Sequence, residues 1–256
     1  MKVLCDITEW RSLRRSLAGS VGFVPTMGAI HAGHTSLMTR SVTDNDVTVV
    51  SIYVNPTQFN NAGDLANYPG TLAEDLAACE AVGVDYVITP TYDDIYADGF
   101  RYQIDETRFS RELCGAHRKG HFTGVLTVVM KLLNIVHPDR AYFGEKDYQQ
   151  FLLVRDMVDA FFMDVEIVAC ETVRERDGLA LSSRNALLSC EARKRASKLH
   201  RLLRSLYSDA EVARKMAGVG FDVDYIVTTL GRRFVAASVD CGDHAVRLID
   251  NVEHAN

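Results

Sequence analysis

Strand-like and helix-like segments alternate through the first two thirds of the sequence, and that rhythm admits few architectures. Residues 21–24, 46–54 (DVTVVSIYV), 84–89, 140–143 and 164–169 read as strands. Leu72–Val82 and Tyr148–Ala160 have helical spacing. Such alternation predicts a parallel sheet wrapped by helices. Residues 122–136 (FTGVLTVVMKLLNIV) are apolar nearly all round, which predicts a helix buried in the protein's centre or in a subunit contact. About 15 residues is too short to cross a bilayer. The tempo changes after about residue 172. Residues 189–216 form an Arg- and Lys-rich helical stretch with Ser189 and Glu191 at its start, and 223–228 and 245–249 read as short strands. A first domain over 1–174 and a smaller one over 175–256 are therefore expected.

At 256 residues the chain can bury one large core and a smaller one. A formal net charge of −6 argues against nucleic acid held by bulk charge, while leaving room for a local anion site. Asp6, Glu9 and Arg11 interrupt any secretory apolar run at the start. The six cysteines are scattered without a Cys-x-x-Cys pair, so reduced thiols and a cytoplasmic setting are expected.

Chemistry-bearing residues gather where strands hand over to helices. After residues 21–24 the chain is broken by Pro25 and Gly28, and His31 and His34 then flank Gly33 just as a helical pattern begins. In a parallel sheet that handover lies at the ligand-binding edge, and a helix start suits phosphate. A second strand runs into Asn55-Pro56-Thr57-Gln58. This is a turn on its own terms, or two amides able to recognise a small polar substrate. The polar residues 60–69 that follow read as a lid. A third strand runs into Gly144-Glu145-Lys146-Asp147. Lys146 suits phosphate and Asp147 suits ribose hydroxyls, or Asp147 simply caps a solvated helix. The loop Leu181-Ser182-Ser183-Arg184-Asn185 offers hydroxyls and a guanidinium to a polyphosphate, or is only a good turn. Cys114, His117 and His121 are possible zinc ligands, but they lack the paired spacings of a structural site. His121 is expected to line a pocket beside Arg118 instead.

Four blocks in this order, PTMGAIHAGH, VSIYVNPTQF, GHFTGVLTVVMKLLNIVHPDRAYFGEKDYQQ and TVRERDGLALSSRN, resemble the pantoate–β-alanine ligase family, and the later RLIDN resembles its closing motif. The resemblance implies a Rossmann-like α/β fold of the HxGH nucleotidyltransferase type with a smaller C-terminal α+β domain closing over the active site. It implies a homodimer and the joining of pantoate to β-alanine through a pantoyl-adenylate, with ATP as substrate and Mg²⁺ present but no protein metal ligand assigned. No nucleic acid or membrane is involved. Carried over by position, Met27, Gly28, Ala29, Ile30, His31, Ala32, Gly33 and His34 line the ATP site, with His34 the proton donor. Gly144, Glu145, Lys146, Asp147, Val173, Leu181, Ser182, Ser183 and Arg184 also bind ATP, and Gln58 and Gln150 bind pantoate or β-alanine. His34, His31, Lys146 and Arg184 are the expected catalytic set, converging on one triphosphate. The alternative is another HxGH nucleotidyltransferase acting on a phosphorylated acceptor. The chain departs from the family at Gly70, where YPR is usual, at Lys119, where RPGHF is usual, over residues 218–243, which look short and irregular, and at Val246, where threonine is usual.

Overall fold

The computed structural model describes residues 1–60 and 62–254, so Asn61, within the segment expected to form a lid, lies outside the described residues. By internal contacts the chain separates into two compact units. The first comprises Met1–Glu145 and Gln149–Cys170, and the second Lys146–Tyr148 with the chain from Glu171 onward.

In the first unit, β1 (Lys2–Leu4), β2 (Val21–Thr26), β3 (Val47–Ile52), β4 (Tyr86–Ile88), β5 (Arg140–Gly144) and β6 (Glu166–Cys170) form a parallel sheet in the order β1-β4-β3-β2-β5-β6. Such a sheet is buried on both faces, which is why its strands read as continuous apolar runs rather than alternating ones. Val21, Phe23 and Val24 of β2 and Val49 and Val50 of β3 are wholly buried, each contributing about 1.5–3 kcal/mol. From β2 the chain builds outward through β3 and β4, then returns to place β5 on the other side of β2. The order therefore reverses between β2 and β5, and a sheet of this kind binds ligands beyond the carboxyl ends of the strands at that point. The residues that follow these two strands are 27–34 and 145–147.

The helix His121–Val136 is buried along most of its length inside the first unit. Trp10 on the helix Ile7–Arg14, itself wholly buried, donates its indole N–H to the Ile135 carbonyl (3.0 Å). The chain's own core thus accounts for the apolar character of this helix without a subunit contact.

In the second unit, β7 (Phe221–Thr229), β8 (Arg232–Asp240) and β9 (Ala245–Glu253) form an antiparallel sheet in sequence order. The region expected to be irregular, 218–243, contains the nine-residue central strand β8. Its signal was hidden because β8 is nearly all buried and so shows no alternation. The helical stretch 189–216 is three helices, Cys190–Ala196, Leu199–Leu203 and Asp209–Gly218. Ser189 caps the first as expected, and Ser208 and Glu211 form a capping box on the third. The carbonyls exposed by the second break are taken up by buried Arg233, whose guanidinium donates to the carbonyls of Leu203 (3.2 Å), Ser205 (2.8 Å) and Tyr207 (2.8 Å). The helices pack Ala196, Leu199 and Val212 against Val235, Ala237 and Val239 of β8. Among the described residues, no helix is long and apolar enough to cross a membrane.

Candidate active site

The corner after β2 is built on a left-handed turn. Gly28 (φ +79°) and Ala29 (φ +50°) reverse the chain, and the buried carboxylate of Asp75 holds them in place. It accepts from the N–H groups of Ala29 (3.0 Å) and Ile30 (2.7 Å) and from the Thr71 hydroxyl (3.1 Å). A Cβ at residue 28 would lie 2.8 Å from Asp75 Oδ2, so only glycine fits. Asp75 had no sequence signal beyond an acid inside a helix, because the two backbone donors it holds lie 45 and 46 residues away.

The turn delivers His31 as N-cap of the helix Ala32–Asp44. His31 Nδ1 accepts from the Gly33 N–H (3.1 Å), and His34 Nδ1 accepts from the His31 N–H (3.4 Å). The rings stack with centroids 4.1 Å apart. A neutral imidazole that accepts at Nδ1 carries its proton on Nε2. The backbone therefore sets both rings as Nε2–H donors, at a helix start that carries no acidic residue in its first turn and whose dipole favours anions.

At the end of β3, Asn55 is almost wholly buried and its amide is consumed by the protein. Oδ1 accepts from the Tyr96 (2.9 Å) and Thr57 (3.0 Å) hydroxyls, and Nδ2 donates to Gln58 Oε1 (3.0 Å) and to the Gly124 carbonyl (3.3 Å). Burial pushes the Tyr96 phenol up to about 12, so it stays a donor. The reading of this segment as a turn agrees with the structure, whereas the alternative in which the Asn55 amide also faces a substrate does not, since that amide holds Gln58. The Gln58 Nε2 group donates to Met27 Sδ (3.1 Å), which brings this residue to the β2 corner. His121 is buried, with Nδ1 2.8 Å from the Gln58 carbonyl and Nε2 2.9 Å from Arg118. Gln149 and Gln150 part company. Gln149 is buried and binds Cys114 N–H and the carbonyls of Phe109 and Glu112, whereas Gln150 is half-buried. Gly144 closes β5 with open space where a Cβ would stand.

The second unit carries the remaining cations. Lys146 lies in the short 3-10 turn Glu145–Asp147, with Nζ 3.5 Å from Asp147 Oδ2. Lys146, Ser182, Arg184, Arg247 and Asp250 line a small cleft. Ser182 caps the turn Ser183–Leu187 by accepting from the Arg184 N–H (3.3 Å). The approach to this turn is a hairpin in which the Leu181 N–H donates to the Val173 carbonyl (3.0 Å). Arg174 fastens the hairpin to β9 by a bidentate pair with buried Asp250 (2.6 and 2.9 Å). Asn251, also buried, donates to the Lys146 carbonyl (3.0 Å) and accepts from Arg232 (2.8 Å). Asp250 and Asn251 belong to the RLIDN segment, which the sequence offered only as a motif. Among the described residues, no three His, Cys, Asp or Glu side chains gather to hold a metal ion.

A family model described as pantoate-beta-alanine ligase matches residues 2–253. The pantothenate synthetase of Bdellovibrio bacteriovorus is 50% identical over 252 residues, covering 98% of this chain and 99% of its own length. That of Legionella pneumophila is 49% identical over 253 residues, covering 98% and 99%. Among solved structures, the Francisella tularensis pantoate-beta-alanine ligase, complexed with beta-gamma ATP and beta-alanine, superposes with a TM-score of 0.92 at 41% identity, covering 99% of this chain and 97% of the other. The pantothenate synthetase of Thermus thermophilus gives 0.89 at 40% identity, covering 99% of each chain.

Proposed function

The chain belongs to the pantoate–β-alanine ligase family, and we propose that it divides that family's reaction between an imidazole corner in its first unit and a cation-lined cleft in its second. The enzyme joins pantoate to β-alanine at the expense of ATP. The names of its relatives exclude the alternative of a nucleotidyltransferase acting on a phosphorylated acceptor. We infer an acyl-adenylate route. A pantoate carboxylate oxygen attacks the α-phosphorus and pyrophosphate leaves with the broken P–O bond. The β-alanine nitrogen then attacks the acyl carbon, AMP leaves, and the amine loses a proton. No enzyme nucleophile takes part.

The protein's task in such a displacement is positioning and charge neutralisation. His31 and His34 donate Nε2–H to the phosphates, His34 as proton donor. Lys146 and Arg184 neutralise phosphate charge, and Ser182 and Ser183 offer hydroxyls to it. Main-chain groups of Met27, Gly28, Ala29, Ile30, Ala32, Gly33, Gly144 and Glu145 border the nucleotide. Asp147 takes the ribose, and Val173 and Leu181 flank the base. Gln58 and Gln150 bind pantoate, and Gln58 later binds β-alanine. Mg²⁺ accompanying ATP supplies further charge neutralisation and is assigned no protein ligand. A domain boundary near residue 174, a lid over residues 60–69 and a homodimer belong to the same reading. The six free thiols support a reducing, cytoplasmic setting.

The observation that carries the reading is the pair of backbone-fixed Nε2–H donors at the carboxyl end of β2. Its test is AMP release with each substrate omitted in turn. AMP is expected only when ATP, pantoate and β-alanine are all present. Stoichiometric AMP release without β-alanine would contradict ligation as the step that frees AMP.

A further inference from the structure

Gln58 sits at the end of the 3-10 turn Pro56–Gln58, and the first turn of the helix His121–Val136 is seated against that turn. A Cβ at Gly124 would lie 2.5 Å from the Thr57 carbonyl oxygen and 2.7 Å from the Gln58 nitrogen, so backbone meets backbone there. One turn earlier, His121 reaches the Gln58 carbonyl through Nδ1 (2.8 Å) while Nε2 faces Arg118 (2.9 Å). A guanidinium has donors and no acceptor. His121 Nε2 must therefore accept, and Nδ1 must carry the proton that goes to the Gln58 carbonyl. Arg118 Nη2 also points to that carbonyl (3.4 Å). This is the opposite tautomer to that of His31 and His34, and it is fixed by a side chain rather than by the backbone.

The far end of Gln58 is fixed too. Tyr96 and Thr57 donate to Asn55 Oδ1, so Asn55 turns its Nδ2 to Gln58 Oε1. The Gln58 amide must then present its NH₂ group outward, where its partner is the thioether of Met27. A sulfur is a weak acceptor, so a carboxylate or hydroxyl oxygen of a substrate gains by replacing it.

We propose that Arg118 and His121 are positioning residues, which hold the Gln58 main chain so that its NH₂ donates to pantoate. The proposal rests on the reading of Gln58 as a substrate-binding residue. Neither residue touches substrate. Each acts by fixing the Cα from which the amide projects, and a misplacement of about an ångström in such a group is costly.

The test measures kcat and the KM of each substrate for the full-length enzyme and its variants, with circular dichroism and melting temperature as controls. Gln58→Ala sets the benchmark and is expected to raise the pantoate KM far more than the ATP KM. His121→Ala is expected to raise the pantoate KM by about tenfold or more while the ATP KM stays within about twofold. His121→Asn, whose amide nitrogen stands near the former Nδ1, is expected to recover most of the loss. His121→Gln, which keeps a group for Arg118 but none for the Gln58 carbonyl, is not. Arg118→Met provides a second variant should His121→Ala fail to fold. It is expected to raise the pantoate KM and to remove the Nδ1–H signature of His121 in ¹⁵N-histidine spectra. Unchanged pantoate KM in both His121→Ala and Arg118→Met, equal rises for both substrates, or equal behaviour of the Asn and Gln variants would overturn the proposal. If Gln58→Ala itself leaves the pantoate KM unchanged, the reading of Gln58 fails first.

Discussion

Two histidines separated by two residues hold their protons on the same ring nitrogen because main-chain N–H groups occupy the other. That arrangement depends on a side chain remote in sequence. Asp75 satisfies two consecutive backbone donors and the Thr71 hydroxyl inside the protein. Asp75→Asn would turn an amide NH₂ or a single oxygen toward donors that need acceptors, leaving at least one unmet. A loss of about 1–3 kcal/mol is expected in denaturant unfolding, together with a lower kcat as the imidazole corner shifts. Unaltered stability and activity would show that the turn at Gly28 stands without its carboxylate. At this scale the sequence pointed to the side chains proposed to react, since His31, His34, Lys146 and Arg184 mark themselves by type and by place after a strand or a small-residue loop. It did not show what holds them. Asp75, Asp250 and Asn251 act through partners about 45 to 105 residues away, and the burial of Asn55 reverses what its amide alone suggests.

The helix His121–Val136 shows how one element serves both packing and the site. Its apolar residues fill the first unit's core, while Lys131 reaches back to the segment that carries Tyr96. Lys131 Nζ donates to the Ile95 carbonyl (2.9 Å) and to Asp98 (2.5 Å). The Lys131 hydrogen bond, with help from the Tyr102 N–H, lowers the Asp98 carboxyl from 3.8 to about 2. A carboxyl depressed in the folded state stabilises fully above its unfolded pKa and loses that contribution as pH falls through the folded one. The stability difference between wild type and Lys131→Met should therefore be constant above about pH 4 and shrink between about pH 4 and 2. A difference that persists undiminished at pH 2 would exclude this linkage. Element types were legible wherever periodicity was strong, and the helices Leu72–Val82 and Tyr148–Ala160 fall where their spacing puts them. Charge hid the breaks in residues 189–216, because an Arg- and Lys-rich surface continues across them. What satisfies the second break, the reach of Arg233 to three carbonyls, is a tertiary contact.

Across the whole molecule the groups proposed to react belong to two separately packed units, and each unit fixes its own share of them. The second does so through β9, where Asp250 grips Arg174 and Asn251 grips the Lys146 carbonyl. Asn251→Ala is expected to raise the ATP KM by about tenfold, since it frees the main chain of Lys146, the proposed phosphate-binding lysine, and to spare the pantoate KM. Equal rises for the two substrates would assign Asn251 a general structural role. The parallel sheet was legible from alternation alone. The strand order was not, because β1 at the edge is a short strand with no apolar run, and β8 has no alternation to read. In the proposed mechanism an imidazole at the end of β2 promotes formation of an acyl-adenylate. The most direct measurement is exchange of labelled pyrophosphate into ATP, with pantoate present and β-alanine absent, for wild type and His34→Ala. Exchange in the wild type is expected to require pantoate and to fall about a hundredfold in the variant, with an unchanged melting temperature. Absence of exchange in the wild type, or full exchange in a folded His34→Ala, would contradict it.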